Sequence, residues 1–177
     1  AAQRLGISTV YQEINLCPNL SVAENIFVGR QPMRFGRIDW KELNRRAEEA
    51  LSRLHISIDV TQLLSSYSIA VQQMVAIVRV LDISSKILVL DEPTSSLDET
   101  EVDQLFKVIR NLRDEGLAIL FITHFLDQTY QISDRITILR NGELVGEFQT
   151  EALPKLELIA KMLGKELSEF SYDITGG

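Results

Sequence analysis

The stretch ILVLDEPTSSLD, from Ile87 to Asp98, decides the fold expected of this chain. Its beginning, Lys86 to Leu90, is a near-continuous aliphatic run, which is typical of a strand in a parallel sheet covered on both faces. The run ends in the acidic pair Asp91 and Glu92, and Pro93 then ends the strand. Two acids after a strand are usually an ordinary terminus, but Pro-Thr-Ser-Ser-Leu-Asp behind them makes this pattern specific.

An aliphatic strand that ends in Asp-Glu suits the magnesium site of an ATPase. The oxygens of Asp91 would support the coordination shell of Mg²⁺, and the nucleotide's phosphates would supply the remaining ligands. The carboxylate of Glu92 would orient an attacking water or accept its proton. We therefore predict Asp91 as a metal ligand and Glu92 as a catalytic residue.

Aliphatic strands alternate with helices along the rest of the chain. The predicted strands are Ile7 to Tyr11, Lys86 to Leu90, Leu117 to Ile122, and two that flank the Asn141-Gly142 turn, Arg135 to Arg140 and Glu143 to Phe148. Such an alternation indicates an α/β fold with a parallel sheet.

The predicted helices begin at capping residues and show apolar periodicity. Capping-box spacing occurs at Ser21 with Glu24, opening a helix through Val28, and at Asp39 with Glu42. The second helix should bury Trp40, Leu43, Ala47, Ala50, Leu51 and Leu54. Ser68 caps a third, with Val71, Met74, Val75, Val78 and Leu81 on one face and Gln72, Gln73, Arg79 and Asp82 elsewhere. Later helices should end at Gly116, span Leu126 to Ser133, and run from Pro154 to Gly164.

The composition excludes several classes of protein. With 177 residues, 45% of them hydrophobic, the chain suffices for one domain or part of one. A net charge of −7 opposes a nucleic-acid surface, which needs clustered Lys and Arg. The only cysteine, Cys17, is expected to be a small buried apolar residue. No apolar run is long enough to cross a bilayer.

The stretch from Ile87 to Asp98 resembles the Walker B strand, catalytic glutamate and D-loop of the ABC ATPase family, with Asp98 as the D-loop aspartate. The resemblance implies a P-loop NTPase-type parallel sheet with a helical insert. It also implies a head-to-tail dimer that clamps each ATP between one domain's phosphate loop and the other domain's signature motif. Ser95, Ser96 and Asp98 would then lie at the nucleotide and dimer interface.

Two further motifs of the family match in order. Gln12, in TVYQE, resembles the Q-loop glutamine, which contacts Mg²⁺ and the attacking water. His124, in FITH, resembles the switch histidine, which contacts the γ-phosphate. Taken alone, a glutamine after a strand has no meaning and a histidine at a strand end is usually structural. Their order relative to Glu92 gives them weight.

The signature motif departs from the family's Leu-Ser-Gly-Gly-Gln. The five corresponding residues are Tyr67, Ser68, Ile69, Ala70 and Val71, followed by Gln72, and only Ser68 is kept from the five. Glycines there allow backbone amides to approach a phosphate closely. We therefore expect Ile69 and Ala70 to weaken the clamp on a partner's ATP.

The phosphate loop, Gly-x-x-x-x-Gly-Lys-Ser/Thr, occurs nowhere in the 177 residues. We therefore expect an incomplete sheet that lacks the phosphate-loop strand, and no useful ATP affinity or activity in this chain by itself. In the family that strand lies between the strand ending at His124 and the strand Arg135 to Arg140. Its loss should leave exposed strand edges that favour self-association.

The chain resembles the ATPase subunits of bacterial monosaccharide importers, which carry two ABC domains in one polypeptide. The segments that show this resemblance are VYQEINLCPNLSVAENIFVGR and QQMVAIVRVL. THFLDQTYQISDRITILRNGELVG is similar to the galactofuranose-type branch rather than ribose or xylose. The chain would be part of the first domain, with Q-loop strand 1–20, helical insert and signature helix 21–82, Walker B to switch core 83–150, and C-terminal helix and tail 151–177.

The importer resemblance implies a set of partners and a location. The partners would be a second ABC domain, membrane permease subunits that meet the helical insert and, indirectly, a periplasmic sugar-binding protein. The location would be the cytoplasmic face of the bacterial inner membrane. Two alternatives remain at this point: a non-catalytic ABC-like interaction module, and a non-transport ABC ATPase that acts on ribosomes or DNA.

Overall fold

The structure is a computed structural model that describes residues 7–10, 16–81 and 86–164. It divides into two compact units, Ala1–Ile122 and Thr123–Gly177. The elements of the first unit are β1 Ile7–Val10, α1 Val22–Phe27, β2 Met33–Arg34, β3 Arg37–Ile38, α2 Trp40–Arg53, α3 Ile69–Leu81, β4 Ile87–Asp91, α4 Glu99–Asp114 and β5 Ala118–Ile122. Those of the second are α5 Leu126–Ile132, β6 Arg135–Arg140, β7 Glu143–Gln149 and α6 Lys155–Leu163.

The first unit is built on a parallel sheet in the order β1-β4-β5. Ile87 of β4 is in register with Ile7 of β1 on one side and with Ala118 of β5 on the other. The predicted α/β fold is therefore confirmed, and the strand that ends in Asp91 is the middle one of the three. Among the described strands, β5 pairs with β4 alone, and β6 pairs with β7 in a separate sheet.

Within the first unit, the described helices bury only one face of this parallel sheet. Leu88 and Leu90 are fully buried on it, and the Phe121 ring there meets the Phe106 ring of α4 edge-on at 5.8 Å. α3 contacts the same face, where the Ser8 hydroxyl donates to the Val80 carbonyl oxygen at 3.4 Å. On the opposite face, Ile87, Leu120 and Ile122 are 37%, 52% and 43% exposed. The expectation of cover on both faces is wrong for the described part, because α3 and α4 pack on the same side.

The helical insert is confirmed, with α1 packed against both α2 and α3. Ser21 and Glu24 form the predicted capping box of α1. At α2 only half of the predicted box is present: the Asp39 carboxylate accepts from the Glu42 amide, but the Glu42 carboxylate binds Arg45 and Arg46 instead. No described helix is long and apolar enough to cross a bilayer.

Two side chains of the insert are placed differently from the helical pattern. Trp40, predicted on the buried face of α2, is 52% exposed, because the first residue of a helix lies at the edge of the packed stripe. Gln73, predicted away from the apolar face of α3, is buried with 6% exposed. α3 is enclosed by neighbours on several sides, so that its apolar face is wider than one stripe.

A short hairpin joins α1 to α2, and the sequence pattern did not predict it. β2 and β3 pair Met33 with Ile38 and Arg34 with Arg37. The two turn residues, Phe35 and Gly36, have φ of 48° and 78°. Two consecutive left-handed residues are what a type I′ turn requires, but Phe in place of Asn or Asp hides the signal.

The loop before α1 is organised by the buried side chain of Asn25. Its amide nitrogen donates to the carbonyl oxygens of Cys17, Leu20 and Ser21, and its oxygen accepts from the Cys17 amide at 2.7 Å. The Cys17 side chain is exposed, so the expectation that it is buried is wrong. The backbone of Cys17, not its thiol, is the part that the fold uses.

The second unit is a hairpin covered by α6. Asn141 and Gly142 have φ of 51° and 81°, which confirms the predicted turn, and Gly164 ends α6 at φ 72°. Ile136, Ile138, Leu153 and Leu158 form its core. The Tyr130 hydroxyl donates to the Leu153 carbonyl oxygen at 2.7 Å, and burial raises the pKa of this phenol.

Candidate functional site at the end of the central strand

Asp91 and Glu92 lie at the carboxyl end of β4, the middle strand of the parallel sheet. Such ends are where open α/β sheets bind their ligands. Glu92 has a φ of 46°, in the left-handed region that a residue with a Cβ rarely adopts. Its backbone N–H donates to the Ile122 carbonyl oxygen at 2.9 Å, which holds this conformation in place. Backbone strain at an acidic residue that follows the end of a strand favours a functional role.

A tight turn follows the acidic pair and leads into α4. The Ser95 amide donates to the Glu92 carbonyl oxygen at 3.3 Å, and the Leu97 amide donates to that of Thr94 at 3.1 Å. Thr94 is buried with 2% exposed, whereas Ser95 and Ser96 are exposed. The two serines are therefore accessible to a ligand or to another domain.

Asp98, the expected D-loop aspartate, has a structural role that the sequence analysis missed. Its carboxylate accepts from the Glu101 amide at 2.8 Å, and the Glu101 carboxylate accepts from the Asp98 amide at 3.2 Å. This pair is a capping box for α4. The signal was present in the sequence, because Asp98 and Glu101 have the required spacing.

The segment expected to be the signature motif lies at the start of α3. The Ser68 hydroxyl accepts from the Val71 amide at 3.5 Å, a long capping bond, and the Gln72 side chain donates to the Tyr67 carbonyl oxygen at 3.0 Å. Ile69 is 44% exposed, whereas Ala70 is fully buried. At this helix start it is therefore the Ile69 side chain that lies on the surface.

His124 belongs to the second unit and lies two residues after the end of β5. It is exposed, and its ring lies 4.1 Å from that of Phe125, whose amide donates to the Thr123 hydroxyl at 3.0 Å. Gln12 lies outside the described residues. Asp91 and Glu92 thus lead directly into the turn that ends at Asp98. Ser68 to Gln72 lie elsewhere, at the start of α3.

The acidic pair fits magnesium by its chemistry. Mg²⁺ prefers oxygen ligands and is commonly held by one or two carboxylates together with water and nucleotide phosphates. Among the described residues there is no group of three or more His, Cys, Asp or Glu side chains that could hold a metal ion. Asp91 would therefore supply a small part of the metal's shell, and the remaining ligands would come with the nucleotide.

Known proteins match almost the whole chain. It is 54% identical over 175 residues to the galactofuranose transporter ATP-binding protein YtfR of Escherichia coli K12, covering 99% of this chain and 35% of that protein. It is 53% identical to the fructose import ATP-binding protein FruK of Bifidobacterium longum, covering 96% of this chain and 33% of FruK. The chain thus spans about a third of the length of these curated relatives.

Solved structures share the fold. The ATP-binding cassette MJ0796, solved as a dimer bound to ADP and phosphate, matches with a TM-score of 0.64 and 26% identity over 81% of this chain and 62% of that one. The ADP form of MJ1267, a cassette of an ABC transporter, matches with a TM-score of 0.72 and 20% identity over 96% of this chain and 69% of that one. The sequence model of the ABC transporter family matches residues 1–95, more than half of the chain. The chain therefore belongs to the ABC transporter family.

Proposed function

We propose that this chain is part of the first of two ABC domains in the ATP-hydrolysing, energy-coupling subunit of a sugar importer. The observation that carries the proposal is the position of Glu92, next to Asp91 at the end of the central strand and held at a positive φ by its bond to Ile122. The names of the relatives, which are sugar transport proteins, support the sugar class.

Each site residue has a role in this proposal. Asp91 binds Mg²⁺, which neutralises phosphate charge when it is bound with ATP. Glu92 orients the attacking water and accepts its proton, while Gln12 reaches the metal and the same water. His124 contacts the γ-phosphate. Ser95, Ser96 and Asp98 face the partner domain, and the phosphate loop comes from outside these 177 residues.

The two composite sites of such a dimer are unequal in this proposal. Ser68 to Gln72 would meet the partner's nucleotide with the exposed Ile69 side chain where the family has glycine. A Cβ at that place keeps the backbone amides farther from a phosphate. Glu92 and His124 would therefore serve the site that hydrolyses ATP, and Ser68 would cap the helix at a poorer site.

The partners follow from the importer class. A second ABC domain completes the nucleotide sites, and membrane permease subunits contact the helical insert on the cytoplasmic face of the inner membrane. A periplasmic sugar-binding protein delivers substrate to the permease. Within the sugar class we favour a monosaccharide of the galactofuranose type, because the most similar relatives described above include YtfR at 54% identity.

The substitution Glu92→Gln in the complete protein tests the catalytic role. It removes the proton-accepting oxygen but keeps the side-chain size, so we expect ATP hydrolysis to fall at least about a hundredfold, a typical contribution of general base catalysis. Binding of ATP, measured by calorimetry, should persist. Glu99→Gln, the same change at an exposed position in the first turn of α4, is the matched control and should retain the rate.

Retention of the wild-type rate by Glu92→Gln would contradict this assignment. Loss of ATP binding as well as hydrolysis would indicate a folding defect, which the thermal melting temperature of the same variant would reveal. A variant that melts normally, binds ATP and still hydrolyses it leaves no catalytic role for Glu92.

A second candidate, a non-catalytic interaction module, is favoured for this chain in isolation by one observation: its 177 residues contain no phosphate-loop motif. Titration of the chain with ATP and Mg²⁺ by calorimetry tests it. We expect no binding at micromolar ATP, and tight binding would contradict the module. A role on ribosomes or DNA is disfavoured by the net charge of −7.

A further inference from the structure

The β2–β3 hairpin exposes an unusual set of apolar side chains. Phe35, in the turn, is 94% exposed, Met33 is 61% exposed, and Trp40, just after the hairpin, is 52% exposed. We call these three residues with Arg34 and Arg37 the hairpin tip. Exposed apolar residues scattered singly are normal on soluble proteins, but Phe35 and Trp40 are two aromatic rings that line one recess, and such a grouping marks an interaction site.

The hairpin tip is cationic in an acidic protein. The segment GRQPMRFGRI, Gly29 to Ile38, contains three arginines and no acid, although the whole chain has 18 basic and 25 acidic side chains. Arg34 and Arg37 are both exposed and face each other across the two-stranded ladder. The next acid, Asp39, accepts the Glu42 amide as the cap of α2. This hydrogen bond thus holds the Asp39 carboxylate at the start of α2.

The backbone brings Arg34, Phe35, Arg37 and Trp40 to the lining of one recess. The left-handed residues Phe35 and Gly36 close the turn in two residues, so that Phe35 lies at its apex. The Arg34 guanidinium lies 5.5 Å from the Phe35 ring centroid, within cation–π range. Arg37 and Trp40 line the same open recess of about 480 Å³.

We propose that the hairpin tip docks on an anionic lipid surface. The indole of Trp40 favours the interface between headgroups and acyl chains, an apolar ring such as that of Phe35 is favoured deeper in this interface, and arginines are attracted to anionic headgroups. The rest of the sequence carries an excess of acids, which an anionic surface repels, so that among the described segments we expect this hairpin to approach it. A convex turn with its most exposed side chain at the apex fits a soft lipid surface better than a preformed protein pocket.

This inference goes beyond the proposed function and does not depend on it. It concerns the first unit alone and requires no nucleotide, no phosphate loop and no second domain. Arg34, Phe35 and Trp40 have no part in the catalytic assignment. Binding to lipid can therefore fail while hydrolysis in the complete protein is retained, and the reverse also holds.

Trp40 provides a direct test, because it is the only tryptophan of the chain. The full 177-residue chain is titrated with vesicles of phosphatidylglycerol and phosphatidylcholine in equal parts, and with vesicles of phosphatidylcholine alone. On the anionic vesicles we expect a blue shift of Trp40 emission, protection from an aqueous quencher, and binding that weakens as salt is added. On neutral vesicles we expect no change.

Two pairs of charge variants distinguish a contribution of the hairpin-tip arginines to lipid binding from a general effect of net charge. Arg34→Ala with Arg37→Ala should weaken binding about 25-fold, since one basic residue near an anionic surface contributes about fivefold. Arg53→Ala with Lys107→Ala removes two exposed cations elsewhere and should leave the affinity unchanged. Phe35→Ser should reduce binding, whereas Leu156→Ser, at a leucine of the second unit that is 61% exposed, should not. Circular dichroism confirms that each variant is folded.

Three results would overturn the proposal. They are equal binding to neutral and anionic vesicles, equal weakening by both pairs of charge variants, and a Trp40 spectrum that vesicles do not change. If Trp40 responds only to detergent-solubilised permease subunits, the hairpin tip is a protein-docking surface and the lipid assignment is wrong.

Discussion

The backbone amide of Glu92 donates a 2.9 Å hydrogen bond to the carbonyl oxygen of Ile122, the last residue of β5. The bond extends the pairing of β4 with β5 by one residue beyond Asp91, whose partner in the register is also Ile122. The bond thereby positions, through its main chain, the acid that we propose as catalytic. The cost is a φ of 46° at a residue with a Cβ.

This strain predicts a trade-off between stability and function at position 92. Glu92→Gly adopts a positive φ without penalty, whereas Glu92→Ala keeps the Cβ, so we expect the glycine variant to be more stable than the alanine variant by about 1 kcal/mol. Urea denaturation of the 177-residue chain measures the difference. In the complete protein both variants should lose hydrolysis. An alanine variant as stable as the glycine variant would show that the strain is absent.

The capping box at α4 predicts that Asp98 stabilises the fold in addition to its proposed interface role. Asp98→Ala removes the acceptor of the Glu101 amide and should lower the free energy of unfolding by about 1 kcal/mol. Asp98→Ser keeps a capping oxygen and should retain most of the stability. If the serine variant is stable but the complete protein loses hydrolysis, the aspartate acts at the interface as well. An unchanged unfolding midpoint in the alanine variant would exclude the cap.

The exposed apolar residues of β5 predict self-association of the isolated chain. β5 pairs with β4 alone among the described strands, and Leu120 and Ile122 are 52% and 43% exposed. A lysine at position 120 places a charge on this strand, so Leu120→Lys should shift sedimentation toward the monomer. Leu63→Lys, at a leucine that is 50% exposed in the insert, is the matched control. A wild-type chain that remains monomeric at high concentration would contradict this prediction.

The ion pairs of α2 predict a pH dependence with a definite sign. Hydrogen bonds from Arg45 and then from Arg46 lower the pKa of Glu42 from 4.5 to about 2. A carboxyl with a depressed pKa in the folded state stabilises the fold above its unfolded value and loses this contribution as pH falls. This contribution to stability should therefore be lost as the pH falls from 4.5 to about 2.

Glu42→Gln tests this dependence, because it removes the titrating group. Above the upper end of that pH range we expect the variant to be less stable than the wild type. At the lower end of the range the difference in stability should disappear. Urea unfolding midpoints across the window measure the change. Glu48→Gln, at an exposed position on the same helix, should show no comparable dependence. Equal pH profiles for the wild type and Glu42→Gln would refute the ion-pair contribution.

Local signals in the sequence predicted many of the element boundaries. Ser21 with Glu24 at α1, Asn141-Gly142 between β6 and β7, and Gly164 after α6 all act through hydrogen bonds or φ values within a few residues. The same reasoning applied to Asp98 and Glu101 would have found the cap of α4. The acidic pair after β4 was also recognisable, because strand and motif are adjacent in the chain.

Burial and register came only from the tertiary structure. Trp40 and Gln73 obey the helical period, but their exposure depends on which other elements cover each helix, and that is a long-range property. Likewise an aliphatic strand predicts a buried sheet, yet Leu120 is half exposed because α3 and α4 share one face.

The sequence by itself determined the family resemblance, the parallel α/β fold and the acids at the end of β4, because these are encoded by residues close together in the chain. The tertiary structure decided that Glu92 is held at a positive φ by Ile122, thirty residues away, and that Phe35 and Trp40 lie exposed with Arg34. Both depend on contacts between separate segments, whose geometry no local pattern specifies.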